Sequence, residues 1–222
     1  MSDRREWMIA GERYLAAHVP PDLAAPSLLP GWSRAHVVAH LAGNAGALVN
    51  LLDWARTGVE TPMYASREAR DADIERWASR PPEELRDEAV RSSERLLAAA
   101  AALPSAAWDV SVRTAQGRTV PASEVWWMRA RETWIHAVDL DAGGSFGDLP
   151  PDLTDALLTD VTAKVGATDG CPAVELAPSD RDRMWTFGSG TPQAVRGTAG
   201  ELLGWVLGRP SEVDGLALPR WL

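Results

Sequence analysis

Along the amino-terminal part of the chain, apolar residues recur at three- and four-residue intervals, the period that returns side chains to one face of an α-helix. Trp7, Ile9, Leu15 and Ala16 stand among charged neighbours between Arg5 and His18 and predict a first helix. Val19 to Pro30 is broken by prolines and reads as a connector. Val37, Leu41, Leu48 and Leu52 then mark a long second helix that Ser33 can cap and Gly58 can end. A short helix is expected from Asp71 to Trp77. The next run, PEELRDEAVRSSERLLAAAAAL, starts behind Pro81 and Pro82, carries acidic residues early and apolar residues late, and is closed by Pro104. After a loop containing Gly117, Pro121 opens ASEVWWMRARETWIHAVDLDAGG, a long helical stretch stopped by Gly143 and Gly144. About four main helices is the count of a bundle.

The pattern changes after Gly144. Leu153 to Val165 keeps a helical period, but Ala173 to Ala177 and Arg183 to Phe187 are short alternating or aromatic runs between Pro, Asp and Gly, which suits strands. Pro192 to Leu207 reads as helix again, against the cost of Gly197, Gly200 and Gly204. The expected fold is therefore mainly α with an α+β part: a four-helix bundle over residues 1–148, then a small α/β domain over residues 149–222.

Charge and composition narrow the function. A formal net charge of -9, from 22 basic and 31 acidic residues without a basic run, argues against a nucleic-acid groove. A few arginines can still form a local pocket for a small anion. Cys171 is the only cysteine, so neither an intramolecular disulfide nor a thiolate metal cluster is expected, and a reducing cytoplasm is the compartment this implies. No motif around Cys171 suggests an activated thiol. The opening MSDRREWMIAG lacks the apolar core of a signal peptide, and no membrane-spanning helix is expected. No heptad pattern forces assembly, so a monomer is expected.

Glu132 and His136 are four apart in a strongly helical segment, which sets them one turn apart on one face. His40 lies in another helix, and an antiparallel bundle can bring it opposite that pair. Two imidazoles and one carboxylate would leave an open position on a zinc-like ion, as in a catalytic site. The spacing alone equally suits a helix ion pair, and His36 with His40 makes a second chelating pattern. Asp139, three residues past His136, can accept the outer imidazole N–H. Trp126, Trp127 and Trp134 share this helix and are expected to fill the bundle core.

The stretches GWSRAHVVAHLAGNAGAL, TGVETPMYASREARDADI, TAQGRTVPASEVWWMRARETWIHAVDL and the terminal PRWL resemble the mycothiol-dependent maleylpyruvate isomerases, a branch of the metal-binding helical bundles named after the DinB proteins. The likeness is strongest over residues 28–147 and thin over 160–200. It implies that His40, Glu132 and His136 ligate zinc, and that His36 takes a supporting position. It also implies an active-site arginine from the carboxy-terminal domain, which the GWVLGR segment assigns to Arg209.

The resemblance further implies mycothiol, a cysteine-containing sugar thiol, as cosubstrate. The reaction it implies is conversion of the anionic keto acid maleylpyruvate to its trans isomer fumarylpyruvate in gentisate degradation. Zinc would lower the thiol pKa, thiolate would add to the activated double bond, and rotation with elimination would return the thiol. A doubly anionic substrate asks for an arginine clamp; after Arg209, the candidates are Arg34, Arg118 and Arg131. Two rivals keep the same metal site: a mycothiol S-transferase that retains the adduct, and a non-catalytic metal-dependent binding protein.

Overall fold

The computed structural model describes residues 2–219, so all of the terminal PRWL motif except Pro219 lies outside the described residues. The chain divides into two compact units, Met1–Gly143 and Gly144–Leu222.

The first unit is built from α1 (Ser2–His18), α2 (Arg34–Thr57), α3 (Arg67–Ala78), α4 (Pro82–Ala102) and α5 (Glu124–Asp139), with a small hairpin of β1 (Ser111–Arg113) and β2 (Thr119–Pro121). Its core follows from the apolar stripes of these helices. Leu15, Val37, Val38, Leu41, Ile74, Leu85, Ala137 and Leu140 form one buried cluster. α1 packs on α5 and α2 on α4. At one crossing the absence of a side chain is required, because a Cβ on Gly11 would lie 2.3 Å from Thr133 Oγ1. Two of the three expected tryptophans serve this packing: Trp126 stacks on Trp108, and Trp134 stacks on Tyr14 while donating its indole N–H to the Trp7 carbonyl at 2.9 Å, whereas Trp127 is half-buried, edge-on to Trp7 at 6.1 Å with Arg4 over its ring.

α2 is long and apolar, yet buried. By length and composition alone it passes as a membrane span, with a mean hydropathy of 1.3, because His and Asn are the only strongly polar residues between Ala35 and Leu52. Of its most apolar stretch 72% is buried inside the unit, where α2 packs against α3, α4 and α5, so the apolar composition here is that of a central core helix.

Glu12, Ser93, Asn44 and Arg129 tie all four long helices together in the interior. Arg129 Nε donates to Glu12 Oε1 at 2.6 Å, and its Nη1 donates to the Leu41 carbonyl at 2.8 Å and to Asn44 Oδ1 at 2.9 Å. Ser93 Oγ donates to Glu12 Oε2 at 2.7 Å. A buried charge is tolerable only with partners of this kind. Arg129 precedes Glu132 by one turn, and Leu41 follows His40, so this network holds the two backbones that carry the site.

The second unit contains α6 (Pro151–Gly166), β3 (Pro172–Pro178), β4 (Trp185–Phe187), β5 (Ser189–Gly197) and α7 (Ala199–Val206). The strands run in the order β4-β3-β5, with β4 antiparallel and β5 parallel to β3. The helix expected from Pro192 is a strand as far as Gly197. Pairing decides it: Gln193 and Val195 lie opposite Val174 and Leu176, and Pro192 is tolerated because β5 is an edge strand. Helix begins only at Thr198, whose side chain accepts the Glu201 N–H while Glu201 accepts the Thr198 N–H. Gly200 and Gly204 in α7 make room for Phe146; a Cβ on Gly200 would come within 2.8 Å of its carbonyl oxygen. Cys171 is buried and unpaired by any disulfide, and burial pushes its thiol pKa up, away from nucleophilic use.

Candidate metal centre

His40 on α2 and Glu132 and His136 on α5 converge, offering ligand atoms that all lie within 4.8 Å of one another. Glu132 Oε2 is the hub, 2.9 Å from His40 Nε2 and 3.3 Å from His136 Nε2. The imidazoles meet edge to face with centroids 4.8 Å apart, and Trp32 closes on His40 at 5.8 Å. Two imidazole nitrogens and a carboxylate are donors that zinc and similar divalent ions accept, and three donors leave a coordination position open.

Around the hub, each residue has a distinct electrostatic environment. Burial pushes the His40 pKa down, more strongly than its hydrogen bond to Glu132 raises it. Burial opposes ionisation of Glu132, yet hydrogen bonds from His136 and His40 hold its carboxyl well below the usual carboxylate range. For His136 burial pulls downward, but hydrogen bonds to Asp139 and Glu132 prevail and push its pKa up to about 9. Asp139 is fully buried, with Oδ2 2.8 Å from His136 Nδ1. That contact fixes the ring so that Nε2 faces Glu132.

The other expected site residues fall in different places. His36 does not join the cluster: its Nδ1 accepts the Ser33 backbone N–H at 3.1 Å at the start of α2, and its Nε2 lies 3.3 Å from Glu75. Arg131 Nη2 reaches Glu132 Oε1 at 3.4 Å and so borders the hub. Arg34 is occupied elsewhere, donating to the carbonyls of Leu140, at 2.6 Å, and of Asp141 at the end of α5. Arg118 is exposed in the β1–β2 turn, where its carbonyl accepts the Thr114 N–H at 2.9 Å. Arg209, in the second unit, is buried just after α7 and donates from Nη1 to the Leu207 carbonyl at 2.6 Å.

Sequence reasoning passed over Arg70 and Arg129. Arg70 Nη2 donates to His40 Nδ1 at 3.2 Å. Beside this pair a cavity of about 370 Å³ is bordered by His40, Gly43, Gly46, Tyr64, Arg70 and Trp77, among others. Arg70 stands within TGVETPMYASREARDADI, but its contact with His40, 30 residues away in sequence, leaves no mark in any local spacing.

Comparison with known proteins identifies the family. Residues 5–141 match the mycothiol maleylpyruvate isomerase N-terminal domain and residues 148–218 match the MDMPI C-terminal domain. A crystal structure of the mycothiol-dependent maleylpyruvate isomerase is 37% identical in sequence and superposes with a TM-score of 0.92, covering 99% of this chain and 96% of that one. A crystal structure of a histidine-to-alanine mutant of the isomerase is 36% identical, with a TM-score of 0.91 and the same coverage. No curated protein matches the sequence. The likeness read from the sequence motifs is borne out over both units: the chain belongs to the mycothiol maleylpyruvate isomerase family.

Proposed function

We propose that this protein catalyses the mycothiol-dependent cis-trans isomerisation of maleylpyruvate to fumarylpyruvate at a zinc ion held by His40, Glu132 and His136. The observation that carries the reading is the convergence of these three ligating groups in a chain that matches the isomerase over nearly its full length.

The chemistry follows from what a cis double bond needs in order to turn. The carbon–carbon bond must become single for the time of one rotation, and reversible addition of a thiolate to a double bond conjugated with a carbonyl achieves that. Elimination then restores the double bond in its trans form and returns the thiol, so no redox cofactor is consumed. A divalent ion at the triad would lower the pKa of a coordinating thiol and supply thiolate near neutral pH. The chain's own residues prepare for this. Asp139 keeps the proton of His136 on Nδ1 and leaves Nε2 to the hub. Arg131 lies against the outer oxygen of Glu132 and limits its rotation. Trp32 covers the His40 ring, and a site shielded from water strengthens every charge interaction within it. Arg209 is proposed to meet a substrate carboxylate, a role supported by its place in the GWVLGR segment and by the planar fork of its guanidinium.

The test is turnover of maleylpyruvate by zinc-loaded protein, with and without a catalytic amount of mycothiol, following fumarylpyruvate and free thiol together. The expected result is turnover only with thiol and full recovery of that thiol. Stoichiometric loss of thiol would indicate a transferase, and absence of any thiol-dependent reaction would overturn the enzymatic reading.

A further inference from the structure

The two imidazoles of the triad differ in a way that a metal site does not ordinarily tolerate. The outer nitrogen of a ligating histidine normally donates its hydrogen to a carboxylate, a carbonyl or water. His136 meets that rule through Asp139. His40 does not, because its outer nitrogen faces Arg70, and a guanidinium carries five donors and no acceptor. Nδ1 of His40 is therefore an acceptor here, and the ring hydrogen sits on Nε2, the atom turned toward Glu132 at 2.9 Å.

A cation at the triad takes the lone pair of that same Nε2. The hydrogen leaving Nε2 is then carried at Nδ1 and the ring stays neutral, which sets N–H against N–H between His40 and Arg70. The contact cannot survive in that form. Arg70 is not locked in place: its side chain is 29% exposed, and besides His40 it pairs with neighbouring Asp71 at 2.7 Å on the surface and hydrogen-bonds Tyr64, which borders the same cavity. Its way out borders the cavity of about 370 Å³ beside His40. The α2 wall of that cavity contains Gly43 and Gly46, and a Cβ on either would meet nothing within 4 Å. Glycine inside a helix costs about 1 kcal/mol relative to alanine. Since no packing among the described residues requires either glycine, the room they leave suits a molecule from solution.

We infer that Arg70 is a metal-released anion clamp: occupation of the triad frees its guanidinium from His40, and the freed fork binds a carboxylate of a dicarboxylate substrate in the cavity lined by Gly43 and Gly46. The inference rests on the reading of the triad as a metal site. A substrate with two carboxylates has use for two arginines, so this role for Arg70 is compatible with that proposed for Arg209. By reciprocity of linked equilibria, what metal does to Arg70, Arg70 does to metal. Removing the guanidinium should therefore tighten metal binding, the opposite of what loss of a merely structural residue would do.

The experiment is titration of zinc alone into wild-type protein, Arg70→Gln and His40→Ala, followed by titration of maleate without thiol into the zinc-loaded forms. Glutamine offers a carbonyl oxygen to the Nδ1 hydrogen, so Arg70→Gln should bind zinc on the order of tenfold tighter and maleate on the order of tenfold more weakly. Arg70→Lys keeps the charge and should recover part of the maleate binding. Zinc binding in Arg70→Gln that is unchanged or weaker, or maleate binding equal to wild type, would overturn the inference. Wild-type zinc affinity in His40→Ala would instead overturn the metal reading itself, which separates the two failures.

Discussion

His136 and His40 approach one carboxylate from two helices, and their outer nitrogens are held in opposite ways. His136 is backed by a buried carboxylate, so its ring is fixed as a donor outward and its pKa is lifted to about 9. His40 is backed by an arginine and is kept neutral by burial, with its ring hydrogen pointing inward. The same residue type is thus backed by an anion on α5 and by a cation on α2. Position in the sequence accounts for the difference: Asp139 comes from the same helix turn as His136, whereas Arg70 reaches His40 from α3, on the far side of the 58–66 connector.

Four perturbations sharpen this comparison. The largest effect should come from Arg129, which supports both ligand helices alike. Arg129→Met leaves Glu12 buried without its charge partner and should cost about 3–5 kcal/mol of stability in denaturant unfolding. A loss under 1 kcal/mol would remove Arg129 from its supporting role. His40→Ala comes next. Deleting one ligand should cost roughly 3 kcal/mol of zinc binding, a hundredfold or more, and abolish thiol-dependent turnover while the fold, read by circular dichroism, persists.

Asp139→Asn should be milder, lowering zinc affinity about tenfold to a hundredfold because the ring of His136 loses its anionic anchor. The contrast with Arg70→Gln, for which zinc affinity is expected to rise, is the most direct reading of the difference between the two imidazoles. The last perturbation is pH, whose effect on zinc binding is small over any one unit. Because His136 is raised and must give up its Nε2 proton to a metal, apparent zinc affinity should climb by about tenfold per pH unit up to about 9 and then flatten. In the metal-free protein the sign is reversed. A folded pKa above the unfolded value of 6.5 contributes stability that is fully present below pH 6.5 and is lost as pH rises through about 9. Thermal unfolding of chelator-treated protein between these limits should therefore show a falling midpoint from this group.

Much of the first unit was legible because its signals are local. Glu132, His136 and Asp139 share one helix, and i, i+3 and i, i+4 spacings place them on one face before any tertiary structure is known. His40 needed the bundle to bring it across, and the family likeness supplied that. Arg70 and the network of Glu12, Asn44 and Arg129 were not legible, since each depends on partners from other helices and polar residues in a helix read most simply as solvated. In the second unit, Pro192 to Gly197 reads as helix because periodicity cannot see a parallel partner 19 residues away, Leu176 opposite Val195. The β1–β2 hairpin reads as a loop in the sequence because three-residue strands are too short to show alternation. The glycines that weakened the case for α7 are explained by Phe146, a contact that lies outside any sequence window.

The measurement that tests the central claim most directly is calorimetric titration of zinc into the chelator-treated protein at pH 7.5, repeated in two buffers of different ionisation enthalpy to count protons. With His136 raised to about 9 and His40 already neutral, the account predicts about one zinc per chain and release of about one proton per zinc. Binding without proton release, or no saturable binding near equal stoichiometry, would contradict it.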